Sequence, residues 1–170
     1  DAVIIRPREV AGLSDERAAI TAALRAPIEA APLRDRVRTN DRVVIVFSDI
    51  TRPMPNERVL PVLLAELAEA GVRDDRIVLI NGLATHRKQT GEELERMLGS
   101  EIVRRYEVIQ HDAWDDDNLL PAAKNRAGRM VRVNRRYLEA SVRILTGFIE
   151  PHFFAGFSGG PKAVLPGIAD

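Results

Sequence analysis

The sequence predicts an α/β protein with an open, mainly parallel sheet and helices on both faces of that sheet. Runs of valine and isoleucine recur along the chain, as in strands that are buried on both faces. Segments with a helical pattern lie between the first few of these runs. With 170 residues, of which 45% are hydrophobic, the chain is long enough for one sizeable core and too short for two ordinary domains. We therefore expect a single domain of Rossmann-like architecture.

The first predicted element is an alanine-rich helix that begins after Ser14, a candidate N-cap, and runs to about Leu24. Pro27 and Pro32 follow it. Proline lacks the amide hydrogen and clashes with the preceding turn, so these residues are expected to end the helical pattern.

A strand, a helix and a second strand come next and predict a right-handed βαβ unit. Val43–Phe47 is a continuous β-branched and aromatic run, and Ile77–Ile80 is a second buried run. Gly71 is expected to stop the helix between them. Four leucines give that helix its 3.6-residue period: Leu60, Leu63, Leu64 and Leu67.

The alternation of helices and strands continues to the end of the chain. Thr90 and Glu93 form a capping-box pattern for a short helix ending near Gly99, and a short helical piece is expected around Arg135–Ala140. Three later apolar runs are strand candidates: Tyr106–Ile109, Met130–Val133 and Val142–Leu145.

Composition excludes several classes of protein and site. The 25 basic and 25 acidic residues balance, so neither nucleic acid nor an anionic membrane is expected as a partner. The absence of cysteine excludes disulfides, zinc–thiolate sites, iron–sulfur clusters and thiol catalysis. No apolar run approaches the roughly 20 residues of a membrane span, and the first residues lack a signal-peptide pattern. We expect a cytoplasmic protein, and the glycine-rich ending suggests a piece of a longer chain.

Ligands of open parallel sheets bind beyond the carboxyl ends of the strands, and three unusual segments lie there. The first is Asp49–Pro53, in which Arg52 can clamp a carboxylate or phosphate, Thr51 can donate to an oxygen, and Asp49 can orient a histidine or bind sugar hydroxyls. The alternative is that Asp49 or Thr51 caps the following helix and Arg52 is a solvated neighbour.

The second segment is the loop that contains His86 and Arg87. Histidine exchanges a proton near neutral pH, so His86 is a candidate general acid–base group. The alternative is an ordinary surface or hydrogen-bonded histidine.

The third segment, residues 147–167, is expected to be a loop without regular helix or strand. Its glycines, Gly159 and Gly160 among them, let the backbone approach a ligand and can form an anion-binding nest. Lys162 can bind a phosphate or, if phenylalanines 153, 154 and 157 desolvate it, act as a nucleophile. The Walker pattern is not matched, because Pro161 precedes the lysine. An aromatic-packed turn without chemistry is the alternative.

Two further features are expected to be structural. His111–Asp112 follows the third predicted strand and reads as a structural histidine–aspartate pair, although it can reach the same edge. The acidic run Asp115–Asp117 lacks the glycine and terminal glutamate of an EF-hand, so it is expected to be a solvated loop.

The motifs of these segments resemble the N-terminal domain of the nickel-dependent lactate racemase family. The resemblance runs from about Val43 to the end of the chain. It is carried by four pieces: Asp49–Pro53, Ala84–Arg87, His111–Asp112 and, most specifically, Glu150–Lys162 with the sequence EPHFFAGFSGGPK.

The resemblance implies an isomerase that racemises or epimerises 2-hydroxy acids by reversible hydride transfer to a nickel-pincer nucleotide. In this sequence Lys162 matches the lysine that holds the cofactor covalently. His86 and His152 match the two catalytic histidines, which act as acid and base. Asp49 and Arg52 match residues near the cofactor and substrate, with Arg52 a partner for the substrate carboxylate or the cofactor phosphate. Thr51, Gly159 and Gly160 belong to the same cofactor-binding motifs.

The resemblance also implies that residues 1–170 are the N-terminal cofactor-binding and catalytic domain of a two-domain protein. The nickel-ligating histidine is expected beyond Asp170, and the C-terminal domain with its specificity residues is absent, so this fragment is not expected to be active alone. Loading would require the cofactor's biosynthetic enzymes. Two alternatives stay open: a non-catalytic phosphate- or nucleotide-binding module, and a nickel-independent hydrolase or lyase.

Overall fold

A four-stranded parallel sheet forms the centre of the structure, a computed structural model that describes residues 3–4 and 8–170. The amino-terminal stretch, which lacks a signal-peptide pattern, lies partly outside the described residues. The helices are α1 Glu16–Arg25, α2 Leu33–Arg36, α3 Asn56–Glu69, α4 Gly91–Leu98, α5 Ser100–Arg105 and α6 Arg135–Glu139. The strands are β1 Val43–Ser48, β2 Ile77–Gly82, β3 Glu107–Gln110, β4 Leu119–Lys124, β5 Met130–Asn134, β6 Val142–Leu145, β7 Pro151–His152 and β8 Gly156–Phe157.

The strand order of the main sheet is β3-β2-β1-β6, and all three pairings are parallel. Strand β1 lies between β2 and β6, with Val43 opposite both Ile77 and Val142. This central position explains why the run from Val43 to Phe47 is apolar at every residue, since both of its faces are covered. The predicted α/β class with a parallel sheet is confirmed.

Each face of the sheet has its own core. On one face, Ile45, Phe47 and Leu79 pack with the leucines of α3 and with residues of α4 and α5. On the other face, Val44 and Val46 pack with α6 and with Ile168, which follows the glycine-rich segment. Alternate residues of one strand therefore serve opposite cores, as the two-residue period of a strand requires.

Several predicted helix boundaries hold, and one cap is different. Helix α3 carries the four predicted leucines, and Thr90 and Glu93 form the predicted capping box of α4. The N-cap of α1 is Asp15 and not Ser14, because the Asp15 carboxylate accepts a hydrogen bond from the Ala18 amide at 2.9 Å. A carboxylate also interacts favourably with the positive end of the helix dipole.

Strand β5, which was expected to extend the central sheet, pairs elsewhere. It forms an antiparallel two-stranded sheet with β4, a strand that the sequence did not predict. Pro121 lies within β4, most of that strand is exposed, and its sequence LLPAAK contains no β-branched residue. An antiparallel hairpin can leave one face in water, which removes the pattern on which the prediction depended.

The glycine-rich segment is more regular than a loop. It contains the short hairpin formed by β7 and β8 and a 3₁₀ turn at Gly160–Ala163. Within the part of the chain that the structure describes, no helix is long and apolar enough to cross a membrane.

Candidate functional site

The three segments singled out in the sequence meet at one cavity of about 470 Å³. Ser48 and Gly82, the last residues of β1 and β2, line it, so it lies at the carboxyl edge of the sheet as expected. Six of the predicted site residues also line the cavity: Asp49, Arg52, His86, His152, Gly159 and Lys162. Thr51 and Gly160 lie just outside the lining.

Asp49 and His86 form a close pair at the edge of the cavity. The Asp49 carboxylate is 2% exposed, its Oδ2 atom lies 2.6 Å from His86 Nδ1, and its Oδ1 atom accepts a hydrogen bond from the Thr51 hydroxyl at 2.8 Å. Helix α3 has no side-chain cap, so neither Asp49 nor Thr51 has the alternative role as an N-cap. A carboxylate bound at Nδ1 fixes the orientation of the imidazole and leaves its Nε2 atom available for proton transfer.

The loop that carries His86 is attached to the last turn of the glycine-rich segment. The Ala84 amide donates to the Gly167 carbonyl at 2.8 Å, and the His86 amide donates to Leu83 at 2.9 Å. Leu83 is fully buried, and Ala84 adopts a positive φ of 50°. The backbone is therefore held on both sides of the turn that presents His86.

A network of side-chain amides supports the same loop and was not predicted from the sequence. The Gln110 side chain accepts a hydrogen bond from the Gln89 amide at 2.6 Å and donates one to the Gln89 carbonyl at 2.9 Å. The fully buried Asn81 donates to the Gln89 side chain. Amide residues at the ends of two neighbouring strands were the available signal, because such groups need partners when they are buried.

His152 lies on the hairpin of β7 and β8. Its Nδ1 atom accepts hydrogen bonds from the Phe154 and Ala155 amides at 3.2 and 3.3 Å. Since backbone amides can only donate, Nδ1 is the unprotonated nitrogen and the neutral ring carries its proton on Nε2. Burial, followed by the charges of Lys162 and Arg52, lowers the pKa of His152.

Lys162 lies in the 3₁₀ turn, where its amide donates to Gly159 at 3.2 Å and its carbonyl accepts from Gly167 at 3.0 Å. Burial lowers its pKa first and the charge of Arg52 second, while Asp49 and Glu150 act in the opposite direction. A lysine in such surroundings is more readily deprotonated and more nucleophilic than a solvated one.

The three phenylalanines that were expected to desolvate Lys162 do not do so. Phe153 and Phe154 are 99% and 95% exposed, and Phe157 is also exposed, so these rings do not enclose Lys162. Phe153 and Phe154 lie in the turn between β7 and β8, and Phe157 is the last residue of β8.

Ser158 is a second feature that the sequence analysis missed. It is buried, its hydroxyl donates to the Phe148 carbonyl at 2.6 Å, and it accepts from the Glu150 amide at 3.1 Å. The Ser158 amide donates to the Glu150 carbonyl at 2.9 Å. These hydrogen bonds close the base of the segment that carries His152. Gly159 follows Ser158 directly in the chain.

The two minor features do not reach the cavity lining. His111 is buried and bonds through Nε2 to the Ala169 carbonyl at 3.1 Å, and burial lowers its pKa. His111 is therefore structural, as expected, but it forms no hydrogen bond with Asp112, which pairs instead with Lys88 at 2.9 Å. In the acidic run, the Asp116 carboxylate forms an ion pair with Arg132 of β5.

Comparison with known proteins identifies the family of the chain. The family model described as the lactate racemase N-terminal domain matches residues 1–170. The chain belongs to that family. Two curated relatives are named lactate racemase: the protein of Lactiplantibacillus plantarum is 38% identical over 154 residues, and that of Thermoanaerobacterium thermosaccharolyticum is 35% identical over 147 residues. These alignments cover 91% and 86% of this chain but only 36% and 34% of the relatives, so the family member described here spans about a third of their length.

Solved structures agree as well. The lactate racemase apoprotein from Thermoanaerobacterium thermosaccharolyticum superposes with a TM-score of 0.85 at 34% identity, over 91% of this chain and 37% of that one. A protein from Thermotoga maritima superposes with a TM-score of 0.69 at 24% identity, over 90% of this chain and 37% of that one. The second likeness shows the fold alone.

Proposed function

We propose that this chain is the cofactor-binding and catalytic domain of a larger enzyme that racemises or epimerises a 2-hydroxy acid, lactate or a related compound. The observation that carries the proposal is that His86 and His152 meet at one cavity together with Arg52 and Lys162. Inversion of a stereocentre in both directions needs proton-transfer groups that can serve each face of the reacting carbon. The names of the relatives make lactate the first substrate to test.

The residues of the cavity fit a nickel-pincer nucleotide, pyridinium-3,5-bisthiocarboxylic acid mononucleotide carrying nickel. Lys162 would hold it covalently, since a lowered pKa increases the share of neutral amine that acylation requires. Arg52 would bind the cofactor phosphate or the substrate carboxylate. Gly159 lines the cavity, and a Cβ atom at Gly160 would meet nothing within 4 Å, so the backbone there leaves room for a ligand. When bound, this group supplies the hydride acceptor and donor for the α-carbon.

The protein ligand of the nickel is expected outside this chain, on a histidine beyond Asp170. Among residues 3–4 and 8–170, no group of three or more histidine, aspartate or glutamate side chains is placed to hold a metal ion. The C-terminal domain of the longer protein would supply the substrate-specificity residues, and we expect the present fragment to be inactive without it.

The hydrogen bonds of the two histidines favour opposite tautomers of their rings. His86 donates from Nδ1 to the Asp49 carboxylate, so its Nε2 atom is free to accept the substrate hydroxyl proton. His152 accepts at Nδ1 from two amides, so its Nε2 atom carries a proton and can donate a hydrogen bond to the substrate oxygen. In the reverse direction His152 is the base and must present an unprotonated Nε2 atom. Its ring proton then lies on Nδ1, so His152 has to release the two amides that donate to that atom.

The test uses full-length protein from its native source or from a host that makes the cofactor. Intact mass and nickel content are measured first, and a stable mass addition mapped to Lys162 together with bound nickel is expected. Lys162→Ala should abolish the attachment, whereas His86→Ala and His152→Ala should retain the cofactor and lose turnover. If the protein stays unmodified and nickel-free in cells that make the cofactor, the proposal is wrong.

The same variants separate the proposal from its two alternatives. A non-catalytic anion-binding module would keep normal ligand affinity in both histidine variants. A nickel-independent hydrolase or lyase would keep its activity after the metal is removed, so a metal-free preparation without activity would exclude it.

A further inference from the structure

Glu150 lies beside Arg52 and has no role in the function proposed above. Arg52 Nη1 lies 3.7 Å from Glu150 Oε1, and the two side chains are 26% and 33% exposed. At this distance the two groups form an ion pair but no hydrogen bond, because a guanidinium donor needs an acceptor within about 3.2 Å. The pair is therefore attractive but easily exchanged for a closer, bidentate partner.

The charges around the cavity give this pair its importance. Arg52, Asp49 and Glu150 are the charged groups that act on Lys162. The Asp49 carboxylate is occupied, since one oxygen binds Thr51 and the other binds His86. The second negative charge near the two cations is then that of Glu150.

The backbone of Glu150 is held in place on both sides. Its amide donates to the Ser158 hydroxyl at 3.1 Å, and its carbonyl accepts from the Ser158 amide at 2.9 Å. Ser158 is itself buried and bonded to the Phe148 carbonyl. These contacts fix the backbone position from which the Glu150 carboxylate reaches the guanidinium, so the pair costs side-chain entropy but no further ordering of the backbone.

We propose that Glu150 is the counter-charge of Arg52: it pairs with the guanidinium in the ligand-free site, and an anion entering the cavity displaces it. The carboxylate thereby lowers the affinity of the site for anions and makes binding selective for groups that can grip the guanidinium at two points. The inference rests on the proposed function only in treating the cavity as an anion site.

The experiment measures binding of inorganic phosphate to full-length, cofactor-free protein by isothermal titration calorimetry. Glu150→Gln keeps the size of the side chain and removes its charge, and it should tighten phosphate binding about two- to fivefold, as expected for loss of a partly exposed competing ion pair. Glu150→Asp keeps the charge and should stay within about twofold of the wild type. Glu139→Gln removes an exposed carboxylate whose partner is Arg135 and serves as the matched control. Circular dichroism checks that each variant is folded.

A second measurement follows Lys162 directly. Glu150 raises the pKa of Lys162, so Glu150→Gln should move the pH midpoint of its acetylation by acetic anhydride, read by mass spectrometry, to lower pH. The midpoint in Glu139→Gln should not move.

The possible outcomes are distinct. Phosphate binding that Arg52→Ala weakens and Glu150→Gln tightens supports the inference. If Arg52→Ala weakens binding and Glu150→Gln leaves it unchanged or weakens it, Glu150 is not a competing counter-charge, although the anion site stands. If neither variant changes phosphate binding, the anion site of the proposed function is itself wrong and the inference goes with it.

Discussion

Replacing Gly167 by alanine is expected to disturb both halves of the cavity at once. An added Cβ atom would lie 2.2 Å from the Ala163 carbonyl oxygen, 2.7 Å from its carbon and 3.0 Å from its Cα atom. All three are backbone atoms, so no side-chain rotation relieves the contact. Gly167 also binds the two functional segments, since its carbonyl accepts from Ala84 and its amide donates to Lys162.

The size of the effect follows from these distances. Ordinary contact between a carbon and a carbonyl oxygen is about 3.4 Å, so Gly167 must move away from the Ala163 carbonyl by roughly 1 Å. Overpacking of this kind costs about 1–3 kcal/mol, and losing one of the two hydrogen bonds costs about 1 kcal/mol more. We therefore expect local opening around the Ala84 amide to become easier by about 2–4 kcal/mol, which makes its hydrogen exchange at least about thirtyfold faster.

The assay is amide hydrogen exchange followed by mass spectrometry on the full-length protein, at peptides that cover residues 83–90 and 160–170. Gly91→Ala is the control, because a Cβ atom at this first residue of α4 meets nothing within 4 Å. Its exchange in both peptides should match that of the wild type. Wild-type exchange at Ala84 in Gly167→Ala would refute the steric argument.

Three other substitutions test separate parts of the structure. Asp49→Asn removes the charge that binds His86 and should lower turnover of the loaded full-length enzyme about ten- to hundredfold with the cofactor retained, as for a charge-assisted hydrogen bond worth about 1.5–3 kcal/mol; equal turnover would contradict the orienting role. The hydrogen bond from Arg25 lowers the pKa of the buried Glu66 below its ordinary 4.5, so this carboxylate stabilises the fold at neutral pH and loses that contribution as the pH falls through the lowered pKa. Glu66→Gln should therefore show a smaller drop in urea midpoint between neutral and acid pH than the wild type, and an equal drop would contradict this account. Phe47→Ala empties a fully buried site and should lower the free energy of unfolding by about 3–5 kcal/mol in urea denaturation, so a loss below about 1 kcal/mol would show that the core closes around the gap.

The central sheet could be predicted because its strands are buried on both faces. Val43–Phe47 and Ile77–Ile80 have no polar residue, and few structures other than an interior strand explain such runs. The hairpin of β4 and β5 could not be predicted in the same way, since one of its faces is exposed and Pro121 interrupts the first strand. The error concerned strand pairing. Met130–Val133 was correctly expected to be a strand, but its local sequence does not indicate which strand it pairs with.

The chemical groups of the site were also predictable, while their contacts were not. Asp49, Arg52, His86, His152 and Lys162 stand out because polar and titratable residues follow apolar strands. The idea that Asp49 can orient a histidine did not say which histidine, and the two partners are 37 residues apart. The expected desolvation of Lys162 by phenylalanines was wrong, because residue type does not state which way a hairpin tip points.

The sequence by itself determined the elements of this protein, its family motifs and the residue types collected at the carboxyl edge of the sheet. These depend on short-range rules: the period of apolar residues, capping chemistry, and the parallel arrangement that brings strand ends together. Only the tertiary structure decided that Asp49 binds His86, that the amides after His152 occupy its Nδ1 atom, and that Glu150 lies beside Arg52. The physical reason is that hydrogen bonds and ion pairs act within a few ångströms, so they depend on how loops distant in the chain settle against one another.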